Sequence, residues 1–238
     1  MTMKTIFAAV FFLLAFVLGT LQLQADDQTR EVDPFNEISL RIGANVHLEQ
    51  GKKQSLEIVA KPSTLEEIIT EVKDGKLIIR FPNKNMFWNS FQPGEIKIYI
   101  TTPDINALGV SGSGDIIADD EIKTKEIDLA VSGSGNIKLS ELTAERVKST
   151  ISGSGNIVLG GKTTAQDLSV VISGSGNFKG LDYSASDVSV KVAGSGNAAV
   201  EAKENLYIRL AGSGNVTYKG KPSIDQSTSG SGSVRSVN

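Results

Sequence analysis

The sequence predicts an all-β fold, a single-stranded parallel β-helix (solenoid) with about 18–21 residues per coil, and three observations lead to it. A Ser-Gly-Ser-Gly-Asn corner recurs along the second half of the chain at a nearly constant interval. Aliphatic residues flank each corner in period two. The composition is that of a globular chain with little chemistry to offer: 238 residues, 39% hydrophobic, 21% charged, 24 Gly, formal net charge −3. A chain so close to neutral has no general attraction for nucleic acid or an anionic membrane. Zero Cys excludes disulfides, thiolate metal sites, Cys nucleophiles and an N-terminal lipidated Cys, and the single His, His47, excludes His-cluster metal sites.

The first glycines of the corners fall at 112, 133, 153, 174, 194, 212 and 230, at intervals of 21, 20, 21, 20, 18 and 18. The pairs are Gly112 and Gly114, Gly133 and Gly135, Gly153 and Gly155, Gly174 and Gly176, Gly194 and Gly196, Gly212 and Gly214, then Gly230 and Gly232. Asp115, Asn136, Asn156, Asn177, Asn197, Asn215 and Ser233 close them. A flexible Gly/Ser linker keeps no period, so the repeat specifies a solenoid.

One residue after each closing residue stand Ile116, Ile137, Ile157, Phe178, Ala198, Val216 and Val234. Five before it stand Val110, Val131, Ile151, Ile172, Val192, Leu210 and Thr228. Seven before it stand Leu108, Leu129, Ser149, Val170, Val190, Ile208 and Gln226. Alternation at period two describes strands with one buried face, and its repetition per coil stacks equivalent strands in register. Each coil can bury that face only against its neighbours. The crossovers are expected to be right-handed.

Parity through the corner puts both glycines inward and the Ser and Asn outward. Glycine supplies the positive φ or the close backbone approach that a sharp corner needs. Outward Asn residues at the inter-strand spacing can hydrogen-bond as a ladder. The variable stretches, such as Glu141–Arg146 and Leu181–Asp187, are expected to form a third side.

Residues 34–108 read as degenerate coils joined to the regular repeat of 109–238 in one continuous domain. Ile42-Gly43-Ala44-Asn45-Val46 echoes the corner, and Leu56–Val59, Lys76–Phe81 and Glu95–Ile100 read as strands, with Asp74-Gly75 as a turn. Leu65–Val72 is expected to make one or two helical turns as a cap. Residues 1–25 hold 18 hydrophobic residues; Lys4 precedes an apolar run from Ile6 to Leu18, and a short polar stretch ends in Ala25. That is the layout of a cleaved secretory signal peptide, with an uncleaved anchor over Thr5–Leu23 as the alternative. The protein is therefore expected in the periplasm or at the cell surface.

The Ser-Gly-Ser-Gly-Asn/Asp-Ile corners, the Val-Lys-Asp-Gly-Lys-Leu-Ile-Ile segment and the strand Ile96–Ile100 leading into Thr101-Thr102-Pro103 resemble the "putative auto-transporter adhesin, head GIN domain" family from Pro34 onward. The resemblance implies an exported bacterial protein, of Gram-negative type, with a pectin-lyase-like β-helix and a role in adhesion. It brings no catalytic residues. A self-translocating protein would also need a C-terminal membrane barrel, so translocation by that route is not expected.

Other motifs carry less. Asn156–Thr163 approaches a P-loop but has Asn where the pattern needs Gly, on a strand rather than a strand-to-helix loop. Calcium β-rolls need Asp-rich corners at a shorter period. His47 reads as a surface strand residue, Asn215-Val216-Thr217 as a chance glycosylation match and Asp119-Asp120-Glu121 as a solvated turn.

Phe87, Trp88 and Phe91 lie in a Pro-flanked insertion. They are expected to plug the solenoid against edge pairing, with a glycan- or protein-binding patch as the alternative. A plugged Trp88 would emit blue-shifted and resist iodide quenching. Two functions remain: a non-catalytic adhesion or interaction module whose partner is a surface protein or glycan, with homo-oligomerisation possible, and a carbohydrate-active β-helix enzyme or polysaccharide binder. The outward column two after the corner, Ile117, Lys138, Val158, Lys179, Ala199, Thr217 and Arg235, contains no acid, which favours the binding module. No cofactor or metal is expected.

Overall fold

The computed structural model describes residues 26–82 and 92–237. The chain is all-β, 71% strand and 2% helix, and winds into a β-solenoid of about 6 turns. The regular half alternates strands before and after each corner. Before it lie β8 (Ala107–Gly112), β10 (Glu126–Gly133) and β12 (Arg146–Gly153), and after it β9 (Asp115–Lys123) and β11 (Asn136–Thr143). Then β13 (Asn156–Gly174), β14 (Asn177–Gly194) and β15 (Asn197–Gly212) each run from one corner to the next. Shorter strands follow: β16 (Asn215–Lys219), β17 (Ser223–Ser229) and β18 (Ser233–Ser236). All pairings from β8 to β18 are parallel and in register on the corner residues, Gly133 opposite Gly112 and Gly153, Asn156 opposite Asn136 and Asn177.

The inward columns fill the interior: Val110, Val131, Ile151, Ile172, Val192 and Leu210 are buried, as are Ile116, Ile137, Ile157 and Phe178. The third side is not a free loop. Its strands stay paired through register shifts between Leu139/Glu141 and between Val158/Gly160. Ile122, Leu142, Ala165, Tyr183, Ala185 and Ala202 are buried there. Gly161 leaves room for Tyr183, since a Cβ there would lie 3.1 Å from the ring.

The first half stacks out of chain order. Among the described residues the strands are β1 (Asp26–Thr29), β2 (Glu37–Leu40), β3 (Asn45–Gln50), β4 (Ser55–Ala60), β5 (Ile69–Lys73), β6 (Lys76–Arg80) and β7 (Lys97–Thr102), with one helix, α1 (Pro62–Leu65). The β2–β3 coil lies between β8–β9 on one side and β6–β7 on the other. Three antiparallel pairings, β1–β4, β4–β7 and β5–β6, finish this end. A column of aliphatic residues shows which side faces inward but not which coil is the neighbour, so the permuted order was hidden. The helical turns expected over Leu65–Val72 shrink to α1, which ends at Leu65. Ile69, Thr70 and Val72, good strand formers, instead pair with β6 across a turn at Asp74 (φ 52) and Gly75 (φ 74).

Candidate functional site

Each corner is a joint between neighbouring coils. The first glycine sits at φ +115 to +126 in all seven corners, a region an L side chain rarely adopts. In the first five corners its carbonyl accepts two amides from the next coil: Ser134 N and Gly135 N both reach Gly112 O, at 2.8 and 2.9 Å, and Ser154 N and Gly155 N reach Gly133 O. The second glycine is constrained by packing. A Cβ on Gly155 would stand 2.2 Å from Gly135 O and 2.4 Å from Val131 Cγ1, so the coils approach too closely for any side chain. In the β2–β3 coil the equivalent position is Ala44. That coil stacks on β6–β7.

The closing residues form a continuous directional ladder. Nδ2 of Asn136, Asn156, Asn177, Asn197 and Asn215 each donates to the side-chain oxygen one coil earlier, at 2.6, 2.7, 2.9, 2.9 and 3.0 Å. Ser233 Oγ donates to Asn215 Oδ1 at 2.7 Å. The first member must only accept, and it is the carboxylate of Asp115. The last need only donate, and it is a hydroxyl. Asn215 is thus occupied as a ladder member.

The outward faces carry the surface chemistry. On the face after the corner, His47 stacks on Tyr99 at 5.1 Å between ring centroids and 16° between planes. Lys138 and Ser140 hydrogen-bond Asp119 and hold its carboxyl below the usual range. Arg209 does the same for Asp225 on the other face, at 3.0 Å.

The face before the corner contains a groove of about 450 Å³ running along the solenoid axis. Its walls include Glu126, Arg146, Asp167 and Asp187 in one column and Lys148, Ser169, Ser189 and Tyr207 in the next. Sequence reasoning missed these residues. Their signal was present in the outward positions eight and ten before each closing residue, but it concerns contrast between neighbouring coils, which only the register reveals. Among the described residues no group of three or more His, Asp or Glu side chains could hold a metal ion. Phe87, Trp88, Phe91 and the segment 1–25 lie outside the described residues.

Residues 34–222 match the family described as "Putative auto-transporter adhesin, head GIN domain". The chain belongs to that family. Among solved structures, this GIN-domain protein is similar to a "putative adhesin" from Bacteroides fragilis, with 26% identity and a TM-score of 0.84 over 90% of this chain and 97% of the other. A "putative lipid binding protein" from Parabacteroides distasonis (24% identity, TM-score 0.73, 90% and 97% covered) shares the fold. So does a "putative adhesin" from Parabacteroides merdae (21%, 0.71, 90% and 97%). Comparison with curated proteins finds no match.

Proposed function

We propose that this GIN-domain protein is an exported, non-catalytic adhesion-type module of the Gram-negative cell envelope, which binds its partner through side chains on the outward faces of the solenoid. Membership of the adhesin family carries the reading. The scaffold supports it: in-register stacking turns single residues into columns held by a rigid backbone, the arrangement solenoids use for extended binding surfaces. The layout of residues 1–25 supports export. Among the described residues no helix is long and apolar enough to cross a membrane. Protease shaving of intact cells followed by fractionation tests the location. The protein is expected to be clipped at the surface or released with the periplasm, and recovery in the cytoplasm alone would refute export. A deletion strain is expected to adhere less to host or abiotic surfaces than its parent.

One observation favours a second reading, a carbohydrate-active enzyme. Asp167 and Asp187 stand in register on neighbouring coils, and paired carboxylates are what glycoside hydrolysis uses. The groove around them is open, however, and Asp167 is exposed, so nothing shuts water away from a reacting bond. Release of reducing ends from a polysaccharide, abolished by Asp167→Asn, would establish the enzyme.

A further inference from the structure

We propose that the groove on the face before the corner binds a neutral saccharide, an inference that rests on the adhesion-type reading and names its ligand class. The first observation is shape. Lys148, Ser169, Ser189 and Tyr207 follow one another in register on four successive coils. Two of the smallest side chains therefore stand between two of the longest. At about 4.8 Å per coil, this leaves a notch roughly 10 Å wide, with a lysine at one end and an aromatic ring at the other. The groove volume of about 450 Å³ lies within the range of small-ligand sites.

The second observation is charge. Other surface acids meet bases across the coils: Glu126 with Arg146 in the same groove wall, and outside it Asp119 with Lys138, Glu141 with Lys162, Asp225 with Arg209. Beside the notch the pattern breaks, and Asp187 stacks directly on Asp167. Like charges opposite one another in a ladder are unfavourable. Asn205 Nδ2 fixes the Asp187 carboxylate at 2.6 Å, and Gln166 Nε2 approaches it at 3.5 Å. Arg146, in register with Asp167, is engaged by Glu126. The Asp167 carboxylate has no hydrogen-bond or ion-pair partner among the described residues.

These groups select a ligand. Two carboxylates accept hydrogen bonds from vicinal hydroxyls. Lys148 donates, and the two serines donate or accept. Tyr207, 48% exposed, offers its ring to an apolar face. A pyranose ring presents hydroxyls at its rim and C–H groups on its faces, which matches that set. Four carboxylates (Glu126, Asp128, Asp167 and Asp187) against two cations (Arg146 and Lys148) in the groove disfavour an acidic glycan. Two neighbouring carboxylates alone are too few oxygen ligands for a resident hard cation.

The test is affinity electrophoresis of the purified protein through gels containing mannan, xylan, mixed-linkage β-glucan or amylopectin, with polygalacturonate as the acidic comparison. At least one neutral polysaccharide is expected to slow the protein, and polygalacturonate is not. Tyr207→Ala and Ser189→Phe, which remove the ring and fill the notch, are expected to weaken retention about tenfold. Asp167→Asn, nearly isosteric, weakens it without stressing the fold, and Lys179→Ala on the other face leaves it unchanged. Free mobility in every neutral gel overturns the saccharide site, as does retention by polygalacturonate alone, or equal retention of the wild type and all three groove variants. Adherence of the deletion strain is scored separately. A strain that adheres normally refutes the adhesion reading whatever the gels show, whereas free mobility beside lost adherence refutes only the groove.

Discussion

Ser149 and Tyr183 each bury a hydroxyl that has no hydrogen-bond partner among the described residues. Ser149 occupies an inward position between Leu129 and Val170, where its Oγ is surplus to the packing. An unpaired buried hydroxyl costs about 1–3 kcal/mol, so Ser149→Ala is expected to stabilise the protein by about 1 kcal/mol in urea melts. Burial pushes the Tyr183 phenol from 10.0 up to about 12. In the unfolded chain the phenol loses its proton near pH 10, whereas in the folded chain it keeps it until about 12. The unfolded state therefore binds fewer protons in that window, and stability falls as the pH rises through it. Tyr183→Phe lacks this contribution, so its melting temperature is expected to decline less steeply than that of the wild type between those pH values.

At the level of the element, the corner and its ladder make opposite demands on neighbouring positions. Gly153 sits at φ +120 with a built Cβ 2.5 Å from Gly133 O, whereas Ser154 is exposed. Gly153→Val is expected to cost at least about 2 kcal/mol and Ser154→Val less than about 0.5 kcal/mol. Equal losses in urea melts would refute this account of the corner. The ladder predicts an asymmetry. Asp115 only accepts, so Asp115→Asn is expected to change stability little. Asn156 must donate to Asn136 as well as accept from Asn177. Asn156→Asp removes the donor and sets oxygen against oxygen, an expected loss of about 1–3 kcal/mol at neutral pH. Part of that loss should return in acid, where the protonated side chain can donate again.

For the whole molecule, stability is a sum over neighbouring coils, and the ends differ from the middle. Strands β12, β13 and β14 have paired neighbours on both sides, while every residue of β17 is exposed and its inward positions include Gln226 and Thr228 in place of aliphatic residues. Native-state hydrogen exchange is expected to be slowest across 146–194 and faster by orders of magnitude across 223–236. Uniform protection would show that the solenoid opens as one unit. At the opposite end the antiparallel strands β1, β4 and β5 cover the stack, a closure built from pairings that the repeat itself does not contain.

The sequence by itself determined the solenoid, its corners, its inward columns and its Asn ladder, because a repeat that returns every 18–21 residues stacks identical residues on one another. Periodicity states the register outright wherever neighbouring coils are also consecutive in the chain. Where they are not, it is silent. The β6–β7 strands lie beyond β2–β3, and only the tertiary structure placed them there. The third side was also illegible, since Tyr183 and Leu142 enter the core through register shifts that break the alternation. The groove shares that origin. Asp167, Asp187 and Tyr207 are ordinary surface residues in the sequence, and they become a site only because three different coils stack them in register beside two serines.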